Sequence, residues 1–449
     1  MALYRRLSGY LERFYQTQKT ALLLTGARQT GKTYSIRELG KRFTSFVEIN
    51  FIENPEAVSL FKDVSSAKDI LLRISAMTSV ELIKGETLIF FDEVQVCDNI
   101  VTAIKFLVDE GSYRYALSGS LLGVELKDLR SVPVGYLSIK DVYPLDFEEF
   151  AINVGLQRSV IEYLEECWTA KTRVDETVHQ KMLQLYRLYT VVGGMPAAVD
   201  SYVQTNNLNS VSRVQEDIVV TYRRDISQYA QKDKLKIKEI FDLIPSELDA
   251  KNKRFILKRL NEHAKFERYQ NDFLWLSNAG VAIPVYNLEE PRMPLKLAVT
   301  RNLFKLFSND VGLLTAQYAD GIQLKILSGE VSVNYGAVYE NAVAQELLCH
   351  GFEPFYYNSK KLGELDFVVS QDSVPLPIEV KSGKDFHRHN ALTNVMSCAE
   401  FGIRQALVLC NGNMESEDKI IYAPVYMTMF LKKKEVPDSI YRIDLSGLR

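Results

Sequence analysis

The sequence predicts an α/β protein, with a parallel sheet flanked by helices at the N-terminal end, a helical middle and a second α/β unit at the C-terminal end. Three observations carry that expectation. A short apolar run at 20–25 passes through a glycine-containing loop into a helical stretch at 34–43. Strand-like and helix-like segments then alternate as far as residue 120, and such alternation makes a parallel sheet covered on both faces. Far downstream, a helix at 336–350 precedes two segments of strand alternation, 364–369 and 377–381. The 449 residues leave room for about three domains at roughly 150 residues each. Hydrophobic residues at 47% and charged residues at 25%, with 23 Gly and 13 Pro, exclude collagen-like, disordered and small disulfide-stapled classes.

Taken in order, the loop after the first strand reads Gly26, Ala27, Arg28, Gln29, Thr30, Gly31, Lys32, Thr33. This is G-x-x-x-x-G-K-[ST], the P-loop pattern, in which glycines let the backbone curl its N–H groups toward phosphate oxygens while the following helix adds its dipole. All eight residues are candidate nucleotide contacts. Lys32 would reach the β- and γ-phosphates, and the Thr33 hydroxyl would sit on Mg²⁺. Residues 45–51 alternate as a strand and 67–84 read as a helix. The next hydrophobic run, 87–91, ends in Asp92 and Glu93, which in a P-loop NTPase serve Mg²⁺ and the attacking water respectively. A helix at 98–110 leads to a strand at 113–120 that would lie between the two motif strands, placing Ser118 or Ser120 to sense the γ-phosphate. ATP and Mg²⁺ are therefore the expected cofactors.

These motifs, with Leu117-Ser118-Gly119-Ser120 and Tyr143-Pro144-Leu145-Asp146-Phe147, resemble the prokaryotic AAA-type (AAA_14) ATPases that carry a DUF4143 region. The resemblance continues through Gly193-Gly194-Met195-Pro196 into the last third. It implies Lys32 and Thr33 as the Walker A pair, Asp92 and Glu93 as the Walker B pair, Ser118 as a sensor and a helical lid over the nucleotide. Tyr136 stands where many relatives have a basic residue, so no arginine finger carries over to that position. The implied layout is an ATPase core at 1–150, a lid at 151–229, a winged-helix module at 230–300 and a nuclease-like domain at 301–449. Arg223 and Arg224 are candidates for a γ-phosphate contact from the lid or from a second copy of the chain.

The net charge of −3 hides a basic stretch at 230–270, with 11 Lys and Arg against 7 Asp and Glu. Three helical segments and a strand at 279–286 suggest a winged helix that would set Lys251, Lys253, Arg254, Lys258 and Arg259 on DNA phosphates. The alternative for such a module is protein interaction. Five widely spaced cysteines without C-x-x-C, no leader-like run and no apolar run near the ~20 residues that a bilayer needs point to a cytoplasmic protein with no membrane partner.

In the C-terminal unit Glu340 shares a helix face with Val343, Ala344 and Leu347, so a carboxylate points inward and needs a cation. Alternation puts Asp366 on one strand face, and Glu379 and Lys381 together on the next strand. Helix acid, strand Asp and Glu-x-Lys resemble the PD-(D/E)XK nucleases. That resemblance implies Mg²⁺ held by Asp366 and Glu379 with help from Glu340, and Lys381 stabilising charge at a scissile phosphate. Two readings stand open: a DNA-cleaving domain under ATPase control, or an ATP-dependent switch or scaffold whose nuclease-like domain binds nucleic acid or protein and cuts nothing.

Overall fold

The computed structural model describes residues 3–434 apart from 63–65, 98, 120–134, 231–232, 251, 263–264, 319–320 and 331–333, together with 443. Strands β1 (Ala21–Thr25), β2 (Ser45–Asn50), β3 (Thr87–Asp92), β4 (Arg114–Ser118) and β5 (Leu137–Asp141) form a parallel sheet in the order β2-β3-β4-β1-β5. The strand bearing Ser118 does lie between the two motif strands. Ser120 falls outside the described residues.

Every residue of β1 and β3 is buried, as a sheet covered on both sides requires. One face carries α3 (Ala67–Met77) and α4 (Ile100–Glu110) over Ile89 and Phe91; the other carries α1 (Arg6–Thr17) and α2 (Lys32–Gly40) over Leu22 and Phe90. The helix expected over 67–84 stops at Met77, because Thr78 turns to extended backbone and the next residue, Ser79, is another poor helix former. Helix α1 buries Leu7, Leu11, Phe14 and Tyr15, one helical stripe.

The middle is helical: α5 (Phe147–Asn153), α6 (Arg158–Ala170), α7 (Glu176–Val192), α8 (Pro196–Thr205), α9 (Leu208–Tyr229), α10 (Lys234–Asp249) and α11 (Phe266–Asn278). The break before α8 is a three-way joint. The Gly194 N–H donates to Asp310 Oδ2 at 2.6 Å, and its carbonyl accepts from the Leu145 N–H at 2.7 Å. A Cβ at Gly194 would lie 1.9 Å from the Leu145 carbonyl oxygen, so no other residue fits without backbone movement.

The rest comprises β6 (Ala282–Leu288), β7 (Val299–Ser308), α12 (Val311–Ala316), α13 (Ile322–Ser328), α14 (Tyr335–Cys349) and β8 (Phe355–Ser359). Then come β9 (Gly363–Gln371), β10 (Val374–Lys381), α15 (Asn390–Met396), β11 (Ala406–Cys410), β12 (Glu415–Glu417) and β13 (Ile420–Pro424). Eight strands form one mixed sheet in the order β12-β13-β11-β10-β9-β8-β6-β7. This corrects the separate wing: β6 pairs parallel with β8, so the β6–β7 hairpin belongs to the C-terminal sheet, and a boundary at 300 would cut through β7.

Helix α14 also departs from expectation. Its residues from Ala337 to Leu347 are all buried, so there is no single apolar stripe with a lone inward acid. Its polar groups terminate other elements instead. Asn341 Oδ1 accepts from the Ser308 N–H at 2.8 Å, Gln345 Oε1 accepts from the Val311 N–H at 2.9 Å, and Glu346 accepts from the Phe147 N–H. One continuous apolar core runs from α5 and helices α6 to α10 through α14 to β10 and β11, whereas the five-stranded sheet keeps its own apolar layers.

Candidate functional site

The loop between β1 and α2 has the backbone that its glycines permit. Gly26 has φ +131°, and a Cβ there would lie 2.3 Å from the Val142 carbonyl oxygen; Gly31, at φ +92°, opens α2. Lys32 is buried, and its ammonium donates to the carbonyls of Gly26 at 3.0 Å and Ala27 at 2.7 Å, closing the loop on itself. Burial brings this ammonium down to about 8, although Glu93 and Asp92 pull the other way. Thr30 Oγ1 donates to the Ala27 carbonyl at 3.0 Å.

Asp92 is the hub of the second motif. Thr33 Oγ1 lies 3.1 Å from each of its carboxylate oxygens, Asn50 Nδ2 donates to Oδ2 at 3.1 Å, and the Ser118 hydroxyl donates to Oδ1. Burial raises the Asp92 carboxyl, with the Ser118 hydrogen bond opposing. Glu93 follows in the left-handed region at φ +58°, unusual for a side-chain-bearing residue, and its carboxylate is held by the Gln95 amide. A cavity of about 460 Å³ opens between Arg5, Lys32, Thr33 and Glu93 on one side and Pro196 and Asp200 of α8 on the other, a size suited to a nucleotide. Arg28 and Gln29 line it too. Thr33 and Asp92 form an adjacent all-oxygen pair, which fits a hard cation such as Mg²⁺.

The structure thus brings Gly26 through Thr33, Asp92, Glu93 and Ser118 to one place. It does not bring Arg223 and Arg224 there. Arg223 Nε pairs with Asp242 at 2.7 Å on the far side of α9, and both arginines line a different surface hollow. The face of α9 that meets the loop carries Tyr222 and Asp225, three apart. Arg28 Nη1 donates to Asp225 Oδ1 at 2.9 Å, and the Tyr222 hydroxyl donates to the Arg28 carbonyl at 3.2 Å. Arg5 was also unforeseen; it spans the loop, donating to the carbonyls of Thr30 at 3.1 Å and Tyr143 at 2.8 Å.

The basic stretch is partly spent inside the molecule. Lys253 pairs with Glu340, and Arg259 pairs with Glu247 at 2.9 Å; Lys251 lies outside the described residues. Phosphate contact by Lys253 therefore does not fit the structure, whereas Arg259 stays exposed beside Glu247.

Glu340, Asp366, Glu379 and Lys381 do converge, but with further lysines among them. Lys305 of β7, fully buried, places Nζ 2.9 Å from Glu364 Oε1, 3.5 Å from Glu340 Oε2 and 3.8 Å from Asp366 Oδ1. Lys381 Nζ is 2.9 Å from Glu379 Oε2, and Asp366 Oδ2 accepts from the Val380 N–H at 2.9 Å. Burial, and then the Asp366 charge, raise the Glu340 and Glu379 carboxyls. Burial works the same way on Asp366, but Lys305, Lys253 and Lys381 outweigh it and hold that carboxyl below its usual range. Of the Asp366–Glu379 pair, Glu379 is thus the more readily protonated partner. Among the described residues no three acids, imidazoles or thiols are arranged to hold a metal ion. The expected Mg²⁺ site at Asp366 and Glu379 therefore does not fit, because ammonium groups already face those oxygens.

A parallel five-stranded sheet, a phosphate-binding loop after β1 and an Asp-Glu end on β3, one strand removed from it, are the parts of a P-loop nucleotide-binding domain. Residues 18–151 match the family described as AAA domain (AAA_14), residues 183–324 a domain of unknown function (DUF8612) and residues 335–428 another (DUF4143). No curated protein matches the chain in sequence. Among solved structures it is similar to the Walker-type ATPase PABY2304 of Pyrococcus abyssi, at 13% identity over 70% of this chain and 95% of that one, with a TM-score of 0.41. It is also similar to the Aeropyrum pernix Orc1 protein in complex with DNA, at 13% identity, 74% and 93% coverage and a TM-score of 0.27. Drosophila ORC bound to DNA aligns at 14% identity, 73% and 95% coverage and the same score of 0.27. No helix among the described residues is long and apolar enough to cross a membrane.

Proposed function

We propose that the chain is an ATP-hydrolysing switch of the AAA type, whose nucleotide state passes through the helical lid to a C-terminal unit that binds a partner without cutting it. The observation that carries this reading is the bond from Arg28, within the phosphate-binding loop, to Asp225 on lid helix α9. Lys32 leaves the Gly26 and Ala27 carbonyls for the phosphate oxygens, while loop N–H groups and the α2 dipole take up the remaining charge. Mg²⁺, when bound by Thr33 and Asp92, neutralises charge on the phosphates. Asn50 and Ser118 hold the Asp92 carboxylate in orientation. Glu93 accepts the proton of the attacking water.

The γ-phosphate competes with Asp225 for the Arg28 guanidinium. The exchange reaches the C-terminal unit through Tyr222, whose hydroxyl also accepts from Asn309 Nδ2 at 3.3 Å, next to the Asp310 that caps α12. Amide hydrogen exchange tests the relay. Residues 208–229 and 299–316 should differ in protection between ATP-bound and nucleotide-free protein, and Asp225→Asn should remove most of that difference while ATP still binds. Equal protection in both states of the wild type would sink the switch.

A second reading, contact with DNA, keeps one favourable observation: Lys258, Lys265 and Arg268 stay exposed on the basic stretch. Fluorescence anisotropy with a duplex should then give affinity that falls with salt at a log–log slope of about −0.9 per phosphate contacted, and Lys258→Ala with Arg268→Ala should flatten the slope. A slope unchanged in the double variant removes this stretch from the interface.

A further inference from the structure

We infer that Lys305 is the resident cation of the C-terminal acid cluster: its ammonium holds the place a divalent metal ion would take, and the cluster becomes a divalent-cation site only when that ammonium is removed. The inference does not depend on the nucleotide site. The four acids come from three elements, Glu340 from α14, Glu364 and Asp366 from β9 and Glu379 from β10. Lys305 enters from a fourth, the outer hairpin, where antiparallel pairing with Val285 fixes its backbone. Its side chain has no exposure to solvent, and the ammonium also stands 5.3 Å from the centre of the Tyr356 ring. A buried ammonium persists only where carboxylates surround it, and here three do.

The oxygens are spoken for one by one. Glu340 turns Oε1 to Lys253 and Oε2 to Lys305; Oε2 makes no hydrogen bond and is sealed from solvent. Asp366 gives Oδ2 to the Val380 N–H and Oδ1 to Lys305; Glu379 turns to Lys381. Without the Lys305 ammonium, oxygens of Glu340, Glu364 and Asp366, now 2.9 to 3.8 Å from it, would be left around an uncompensated space and would have to close in by about 1 Å or more to reach the bond lengths of a divalent cation.

The test is a Mn²⁺ titration followed by electron paramagnetic resonance on the full chain without nucleotide, with Asp92→Asn in every sample to silence the oxygen pair beside Thr33. The Lys305→Met chain should gain about one Mn²⁺ site that Asp366→Asn abolishes, as an oxygen-lined cavity requires, whereas the chain with Lys305 intact should hold no Asp366-dependent Mn²⁺. If Lys305→Met does not fold, Lys305→Gln serves in its place. Plasmid DNA should stay uncut by the wild type in Mg²⁺ or Mn²⁺. Asp366-dependent Mn²⁺ with Lys305 present, cleavage lost in Asp366→Asn, or no gained site in a folded Lys305 variant would each overturn the inference.

Discussion

Glu93→Gln should bind ATP and scarcely turn it over, lowering kcat by about 10²–10⁴-fold, the range general-base catalysis supplies. Glu93 faces the nucleotide cavity from a left-handed backbone position, where Gln95 restrains its carboxylate. The amide replacement keeps the size of the side chain but cannot accept the proton of water. ATP should therefore accumulate on the protein, visible as nucleotide that co-purifies or survives single turnover. Hydrolysis at the wild-type rate would remove Glu93 from the chemistry.

The second large effect belongs to Lys32. Its ammonium already donates two hydrogen bonds to loop carbonyls, and phosphate oxygens are stronger acceptors for the same donors. Each charge-assisted hydrogen bond is worth about 1.5–3 kcal/mol, so Lys32→Ala should weaken ATP binding by about two orders of magnitude or more. A pH signature accompanies it. Burial holds the empty-site ammonium at about 8, while bound polyphosphate favours the charged form. Above that pH, ATP binding should take up a proton and weaken as pH rises; below it, little proton uptake is expected. Calorimetry in buffers of different ionisation enthalpy reads this directly, and a wild type with no uptake at alkaline pH would contradict the assignment.

The nucleotide site was largely legible because its chemistry is local. The loop from Gly26 to Thr33 is contiguous, and Asp92 and Glu93 sit where a hydrophobic strand ends, so motif and element coincide. What escaped reading depends on contacts distant in sequence. Asp225 meets Arg28 across 197 positions, and neither neighbour announces it. Arg223 and Arg224 looked better suited to phosphate by charge, yet helical rotation sends Arg223 toward α10 and Asp225 to the loop.

The C-terminal half was harder for a different reason. The alternation that placed Asp366, Glu379 and Lys381 was sound for each strand alone, and the four chosen residues do meet. Which strand lies beside which cannot be read from alternation, so nothing indicated that Tyr286 would stand opposite Phe355 and carry the neighbouring β7 into the same sheet. Lys305 was invisible for that reason and one more: lysine is among the residues least often fully buried, so a lone lysine in a strand reads as surface. The wing failed with it, since a hairpin whose strand completes a larger sheet has no independent fold to recognise.

The shared interior of the lid helices and the C-terminal sheet bears on mechanics. Close-packed cores pass displacement on rather than absorbing it, and Asp310, bonded to Gly194 on one side and capping α12 on the other, pins the two together at the joint. Helices α7, α8 and α9 therefore pack into the same interior as the eight-stranded sheet. A shift of α9 against the phosphate-binding loop would for that reason have to be met by repacking across the shared core as far as β10 and β11.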